Sequence, residues 1–561
     1  MPKRLAITIA GAVSLGSYEA GVLFEVLDAI HQHNCMPGRV EADKIKVDVL
    51  TGASAGGMTA AIVAHKMLLA ADEFRGPYDN PLYDVWVKRI GLEGLLDTED
   101  LETGKIEPPL RSIFSSDLVE RIARETLTAR YDAETLLPPV THEAAARAIS
   151  LGMAMTNLNG VDYGHEMYPS GRFLYTQHED EMKRHLTVEG SDTREVWREI
   201  REAAVASGAF PLAFRAKEMD RREAEYKAEG LVPWEDDPAR YTYTDGGVLQ
   251  NEPLGMAKNL VDEIDLHLNN ESRFYLFVSP HGRVTTTDMK FREAGADYFH
   301  MLKRLAKVIL GQSEFQDWVT AEQMNEQIAL LDSRAEGLAK CLLKDGIDTD
   351  ALQRTADDLL QVLFHQPERV GPRKVASVGP ETIGEAQARI GHQYRAEVGS
   401  LGGEATAKGR AFRDAILAFE KAAGLGNRDT MRIYGMTVEE GNLAGAELSG
   451  FLGFFEQRFR DHDYDRGRMV ARGVLRDPML SQPGELGPVE YHPVETHPID
   501  TSLNGIQLGA LSSEEQTVFR VGIKRRVNEM VRELIGMWSY PADVVVIDPI
   551  VNAVLNQLFR D

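Results

Sequence analysis

Ser54 lies among small residues in the segment LTGASAGGMTAAIVA, residues 50–64. The pattern Gly-x-Ser-x-Gly, from Gly52 to Gly56, stands where a strand-like run gives way to a helix-like run. Small neighbours permit a strained turn that exposes a hydroxyl, as in a nucleophile elbow. A helix N-cap would also explain the serine, but it would not need a glycine on both sides. We therefore predict that Ser54 is a nucleophile, which requires a base and an anion hole.

A second segment of small residues, Gly11-Ala12-Val13-Ser14-Leu15-Gly16, follows the apolar run LAITIA. A loop of this kind that enters a helix exposes successive backbone N–H groups, which suits an oxyanion. A tight strand–helix turn without a ligand is the plain alternative. The segment lacks the lysine of a P-loop and has no clean G-x-G-x-x-G, which disfavours a nucleotide site.

A third segment, TDGGVLQNEP at residues 244–253, places Asp245 before two glycines. The turn would let a hydroxyl approach the carboxylate closely, and a serine nucleophile needs such a base. Taken alone, Asp-Gly is more often an Asx turn. The three segments become informative only in combination.

In this chain order, the glycine loop, the elbow serine and the late Asp-Gly-Gly resemble the patatin-like phospholipases. The resemblance implies a Ser–Asp dyad without histidine that transfers acyl groups from lipid esters, with Ser54 as nucleophile and Asp245 as base. It also implies an oxyanion hole at Gly11, Ala12 and Val13. The supporting turn residues that it implies are Gly52, Gly56, Gly246 and Gly247.

Further matches to the family are GVLFEVL at 21–27, AAVASGAFPLAF at 203–214 and ADVVVIDP near the C-terminus. One departure concerns Leu15, which stands where the family usually carries Arg or Lys. Ala12 and Val13 also replace glycines of the loop. Fewer glycines and a lost positive charge predict a narrower or weaker anion hole.

Strand-like runs alternate with helix-like runs over the first seventy residues, which predicts an α/β fold with parallel strand pairing. The resemblance implies a patatin-like three-layer fold with a mainly parallel central sheet, plus a large, mostly helical insertion. We expect a catalytic core at 1–290, with an insertion at 75–145 that could act as a lid. A mostly helical region of unknown role is expected at 291–540, and a strand and helix at 541–561 are expected to return to the core.

The composition restricts the class of protein. The chain has 561 residues and a net charge of −25, which disfavours nucleic acid and attraction to anionic membranes. Lipid contact would be transient and would use a local patch. Cys35 and Cys341 alone cannot build a disulfide framework. No metal or organic cofactor is implied. The expected location is cytoplasmic, with export without a cleaved leader as the alternative, and the oligomeric state is not indicated.

Three other features have ordinary interpretations. His281 is the histidine to inspect near the site. The charged run DHDYDRGR at 461–468 predicts a solvated or interdomain ion-pair face. The apolar residues of 82–96 predict core packing of the insertion rather than a membrane-touching edge.

The leading hypothesis is a serine acyl hydrolase that cleaves carboxylic esters of phospholipids or related lipids through an acyl-enzyme on Ser54. One alternative is an esterase or thioesterase that acts on a small soluble acyl substrate. Another is a decayed hydrolase scaffold used for binding or regulation.

Overall fold

The structure is a computed structural model of the chain. It describes residues 2–98, 112–133, 135–167, 171–226, 231–265, 272–282, 301, 316–344, 347–365, 382–423, 425, 431–446, 450–482, 484–507, 511 and 513–536.

An eight-stranded sheet lies at the centre of the described residues. Its strands are β1 Lys3–Ile9, β2 Ile45–Gly52, β3 Ala145–Met167, β4 Gly171–Thr187, β5 Lys217–Arg221, β6 Ala239–Asp245, β7 Arg273–Ser279 and β8 Ile433–Thr437. The order is β5-β6-β3-β2-β1-β7-β8, with β4 paired to β3. The inner pairs β3-β2, β2-β1, β1-β7 and β7-β8 are parallel, whereas β4, β5 and β6 pair antiparallel. The predicted α/β fold with a mainly parallel sheet is confirmed.

Helices cover both faces of this sheet and form an additional bundle. Those longer than five residues are α1 Gly16–Cys35, α2 Ala55–Leu69, α3 Ser116–Leu127, α4 Arg194–Ser207, α5 Leu254–Asp265, α6 Gln316–Leu342, α7 Thr349–His365, α8 Ile383–Gln393, α9 Arg395–Ser400, α10 Ala407–Ala422, α11 Gln457–Leu475 and α12 Ser513–Gly536. A six-residue π-helix spans Asp84–Arg89. Within the described ranges, none of the helices combines the length and hydropathy needed to traverse a bilayer.

The side chains of β1 alternate between two apolar cores, as strand geometry requires. Leu5, Ile7 and Ile9 belong to the larger core, which also contains residues of α1, α2, α4 and α11. Ala6, and Ala10 directly after the strand, face the opposite side, where they join a smaller core with α5. Helices on both faces of the sheet give three layers. Helices α6 to α10 form a separate apolar cluster.

Parts of the range 291–540 contribute to the same sheet and core as the first 290 residues. Strand β8 pairs in parallel with β7, and α11 packs along α1 so closely that a Cβ built on Gly467 would overlap the Tyr18 carbonyl. The strand and helix expected at 541–561 lie outside the described residues.

The charged run at 461–468 does not form a solvated face. Asp463, Asp465 and Arg468 are buried, and Arg468 donates to Glu25 of α1 at 3.0 Å and to Asp465 at 3.2 Å. The solvated alternative was wrong, whereas the alternative of an ion-pair face between the late region and the predicted core agrees with the contact between Arg468 and Glu25 of α1. In the segment 82–96, Trp86 is buried and packs against Gly16, as core packing predicts.

Candidate active site

Strand register brings three chain segments to one point of the sheet. Ile9 at the end of β1 pairs with Gly52 at the end of β2, and Gly52 pairs with Met153 of β3. Two residues further along β3, Met155 pairs with Asp245 at the end of β6. Pairing between β2 and β3 ends at Met153. Strand β4 pairs with one edge of β3 at Met155, so β6 pairs with the same edge as β2, directly after the end of β2. The residues that follow β1, β2 and β6 must therefore meet.

Ser54 forms a strained elbow between β2 and α2. Its φ of 53° and ψ of −126° are rarely adopted by a residue with a side chain. The turn is compact because a Cβ on Gly56 would overlap the Ala10 carbonyl, and one on Gly52 would overlap the Gly56 carbonyl. Ser54 precedes α2, but its side chain makes no capping hydrogen bond. The hydroxyl is therefore not explained as a helix cap.

The Ser54 hydroxyl is directed at Asp245. Its Oγ donates to Asp245 Oδ2 at 2.6 Å, and the other carboxylate oxygen, Oδ1, accepts the Gly247 N–H at 2.7 Å. Asp245 thus forms the predicted Asx turn with one oxygen and faces the serine with the other. Gly246 lets this turn lie against β3, since a Cβ there would overlap the Ala154 carbonyl. The pair has the geometry for direct proton transfer from hydroxyl to carboxylate.

Burial raises the pKa of Asp245 to about 7, although the hydrogen bonds from Ser54 and the Gly247 N–H partly offset the effect. Its side chain has little access to water, since the residue is only 1% exposed. A carboxylate with this pKa is a stronger base than an ordinary aspartate, and it is ionised over part of the neutral range. Both properties suit a general base.

Ser207 is a supporting residue that the sequence did not single out. Its Oγ accepts the backbone N–H of Ser54 at 3.1 Å and donates to the Ala154 carbonyl at 2.7 Å. It therefore ties the elbow to β3. Two residues later, the Ala209 carbonyl accepts the Asp245 N–H at 3.0 Å. The segment AAVASGAFPLAF was noted in the sequence, but nothing in it distinguishes this serine from its neighbours.

The loop after β1 lies beside Ser54, because a Cβ on Gly11 would lie 3.2 Å from Ser54 Cβ. The Gly11 N–H is already used, since it donates to the Asn251 carbonyl at 3.0 Å. No acceptor for the amide hydrogen of Ala12 or Val13 is found among the described residues. Val13 has a φ of 51°, so the backbone turns sharply there. Of the three residues predicted for the anion hole, Gly11 thus has its amide engaged by Asn251, and the role of Ala12 and Val13 stays a prediction.

Leu15, at the position where the resemblance implies a cation, is buried directly before α1. A Cβ on Gly445 would lie 3.0 Å from its Cδ2. Ser14 donates to the Gly450 carbonyl, and a Cβ on Gly450 would lie 3.3 Å from the Ala12 carbonyl oxygen. Residues more than 400 positions later in the sequence therefore pack against the glycine loop and support it.

Aromatic side chains line one side of this region. Phe451 follows Gly450, and its ring lies 5.4 Å from Phe210 and 5.7 Å from Phe114. A neighbouring cleft of about 650 Å³ includes Gly208 and Ala209 in its lining. Lys217 and Glu120, paired at 3.0 Å, also line it. The surroundings combine apolar surface with paired charges.

Among the described residues, the hydrogen bonds of the Ser54 and Asp245 side chains do not involve a histidine. His281 lies after β7, where its backbone N–H donates to Ser279 Oγ at 3.2 Å. No group of three or more His, Cys, Asp or Glu residues in the described part of the chain is arranged to hold a metal ion. The two oxygens of Asp245 are engaged by Ser54 and Gly247, as described above.

Comparison with known proteins gives two findings. Residues 7–258 match the family model described as patatin-like phospholipase. The chain is also similar to a curated relative described as the uncharacterized protein y4iI of Sinorhizobium fredii, with 26% identity over 325 residues. That alignment covers 45% of this chain and 44% of the relative, so the chain spans less than half of the relative's length.

Proposed function

Because residues 7–258 form a patatin-like phospholipase domain, we propose that the protein is a serine acyl hydrolase acting on carboxylic esters of phospholipids or related lipids. The observation that carries the proposal is the 2.6 Å hydrogen bond from Ser54 Oγ to buried Asp245. The register of β1, β2, β3 and β6 supports it further, because it places this pair beside the loop at Gly11.

The reaction follows from these positions. Ser54 attacks the ester carbonyl while Asp245 takes the hydroxyl proton, and the resulting oxyanion accepts hydrogen bonds from the Ala12 and Val13 amides. The N-terminus of α2, which begins at Ala55, adds its positive dipole end. Asp245 returns its proton to the leaving alcohol, and water then cleaves the acyl-enzyme with Asp245 again as base.

The test is labelling with a fluorophosphonate, followed by mapping of the modified residue. We expect modification at Ser54 in the wild type and none in Ser54→Ala. Asp245→Ala should lower the labelling rate by about three orders of magnitude. Ser400→Ala, which removes an exposed hydroxyl on α9, is the matched control and should be labelled as fast as the wild type. A folded Ser54→Ala protein with full esterase activity would contradict the proposal.

A second candidate keeps the chemistry but changes the substrate to a small soluble ester or thioester. The net charge of −25 favours it, because it gives no general attraction to anionic membranes. Turnover of one ester as dispersed monomers and as micelles separates the two. A lipid hydrolase should gain activity at the interface, whereas an esterase for soluble substrates should not.

A further inference from the structure

Asn251 connects the glycine loop to the turn that carries Asp245. It lies between β6 and α5 and is only 8% exposed. Its backbone carbonyl accepts the Gly11 N–H at 3.0 Å. The loop that follows β1 is therefore held by a residue of the segment that follows β6.

The Asn251 side chain touches both segments. A Cβ on Gly11 would overlap Asn251 Oδ1, and a Cβ on Gly247 would lie 2.6 Å from the same atom. Gly247 is also the donor to Asp245 Oδ1. One carboxamide thus packs against the backbone of the loop and against the donor that orients the base.

We propose that Asn251 is the positioning residue that sets the glycine loop in register with the Ser54–Asp245 pair. The inference rests on the proposed function. Asn251 acts through Gly11 and Gly247 and does not itself receive the oxyanion. Because the Asn251 carbonyl accepts the Gly11 N–H, the oxyanion would accept hydrogen bonds from the amides of Ala12 and Val13 instead.

Asn251→Ala keeps the backbone carbonyl and removes the carboxamide. The segments at Gly11 and Gly247 can then shift into the space that the carboxamide occupied. Such a shift would misplace the backbone N–H donors of the site, and small errors of position slow a reaction sharply. We expect kcat and the fluorophosphonate labelling rate to fall on the order of 10- to 100-fold. KM should stay within about twofold, because only stabilisation of the transition state is lost. Gln250→Ala is the matched control, since this neighbour is also buried, and its kcat should be unchanged.

Asn251→Asp keeps the size of the side chain but adds a negative charge near the base. The added charge disfavours ionisation of Asp245, so the acid limb of the pH–rate profile should move to higher pH. This shift would show that residue 251 lies close to the base, and the loss of kcat at an unchanged KM in Asn251→Ala is what separates a positioning role from simple filling of space. If Asn251→Ala fails to fold, Asn251→Asp still allows kcat and the pH–rate profile to be measured.

A double-mutant cycle tests the contact with Gly11. Adding Gly11→Ala to Asn251→Ala should lower the labelling rate by less than adding it to the wild type, because the overlapping carboxamide is gone. Folded Asn251 variants with wild-type kcat and an unmoved acid limb would overturn the positioning role while leaving the dyad intact. A wild-type protein that is not labelled at Ser54 would instead overturn the proposed function, and the positioning role with it.

Discussion

At the residue scale, one carboxylate oxygen of Asp245 accepts the Ser54 hydroxyl and the other accepts the Gly247 N–H within its own turn. The sequence predicted Ser54 and Asp245 but could not give their distance, which depends on the register of β2 and β6 along β3. The sequence did not predict the roles of Ser207 and Asn251, because these roles also depend on contacts between distant segments. A serine in an alanine-rich helix or an asparagine after a turn has no distinctive chemistry until its neighbours in space are known.

The pH dependence of activity follows from the raised pKa of Asp245. The base must be ionised to accept the Ser54 proton, and burial raises its pKa to about 7. We expect kcat/KM to fall about tenfold per pH unit below that value and to level off above it. The profile is measured with a neutral ester, so that substrate ionisation does not contribute. An acid limb near pH 4 would contradict the burial argument.

Asp245→Asn should abolish activity and stabilise the fold at neutral and alkaline pH. Because the folded-state pKa of Asp245 lies above the unfolded value of about 3.9, ionisation costs folding free energy as pH rises toward 7. The stability gained by the variant should therefore grow between pH 4 and pH 8, by up to about 4 kcal/mol. Urea unfolding at several pH values measures it. A pH-independent difference would be inconsistent with this pKa.

At the element scale, α1 and α11 pack with their backbones in contact. The sequence predicted helices here from periodicity, but it could not show that the charged face of α11 is buried against α1. It also gave no sign of β8, because a five-residue run, IYGMT, is too short to stand out from its surroundings. Burial of the charges depends on Glu25, which accepts from both Arg468 and Arg472 at 3.0 and 2.7 Å.

Two glycines of α11 test this contact. Gly467→Ala should destabilise the protein by about 1–3 kcal/mol, because the added Cβ overlaps the Tyr18 carbonyl. Gly473→Ala is the control, since nothing lies within 4 Å of a Cβ there. Its better helix propensity should stabilise the protein by up to about 1 kcal/mol. Chemical denaturation compares them, and equal effects would argue against close backbone packing.

At the scale of the whole molecule, the site depends on chain beyond the matched residues 7–258. Strand β8 covers the edge of β7, α11 covers α1, and Gly450 supports the loop at Ala12. The return of residues 541–561 to the core stays a prediction, and the sequence did not predict that β8 and α11 also contribute to the core. Long-range pairing of short strands leaves no local pattern that identifies which segment completes a sheet.

A chain cut at residue 290 should therefore lack an ordered site. Without the later chain, the apolar face of α1 and the edge of β7 are exposed, which favours aggregation. We expect residues 1–290 alone to be insoluble or unlabelled at Ser54. Co-expression with residues 291–561 as a second chain should restore labelling. A fragment 1–290 that is labelled as fast as the full protein would show that the core is self-sufficient.

The hydrogen bond between Ser14 and Gly450 also has a consequence for the order of events during synthesis. Every residue of the Ser54–Asp245 pair leaves the ribosome long before Gly450 does. The loop that contains Ser14 therefore lacks this partner until most of the chain has been made. If the proposed function is correct, we expect the nascent chain to acquire activity only after residue 450 has been synthesised.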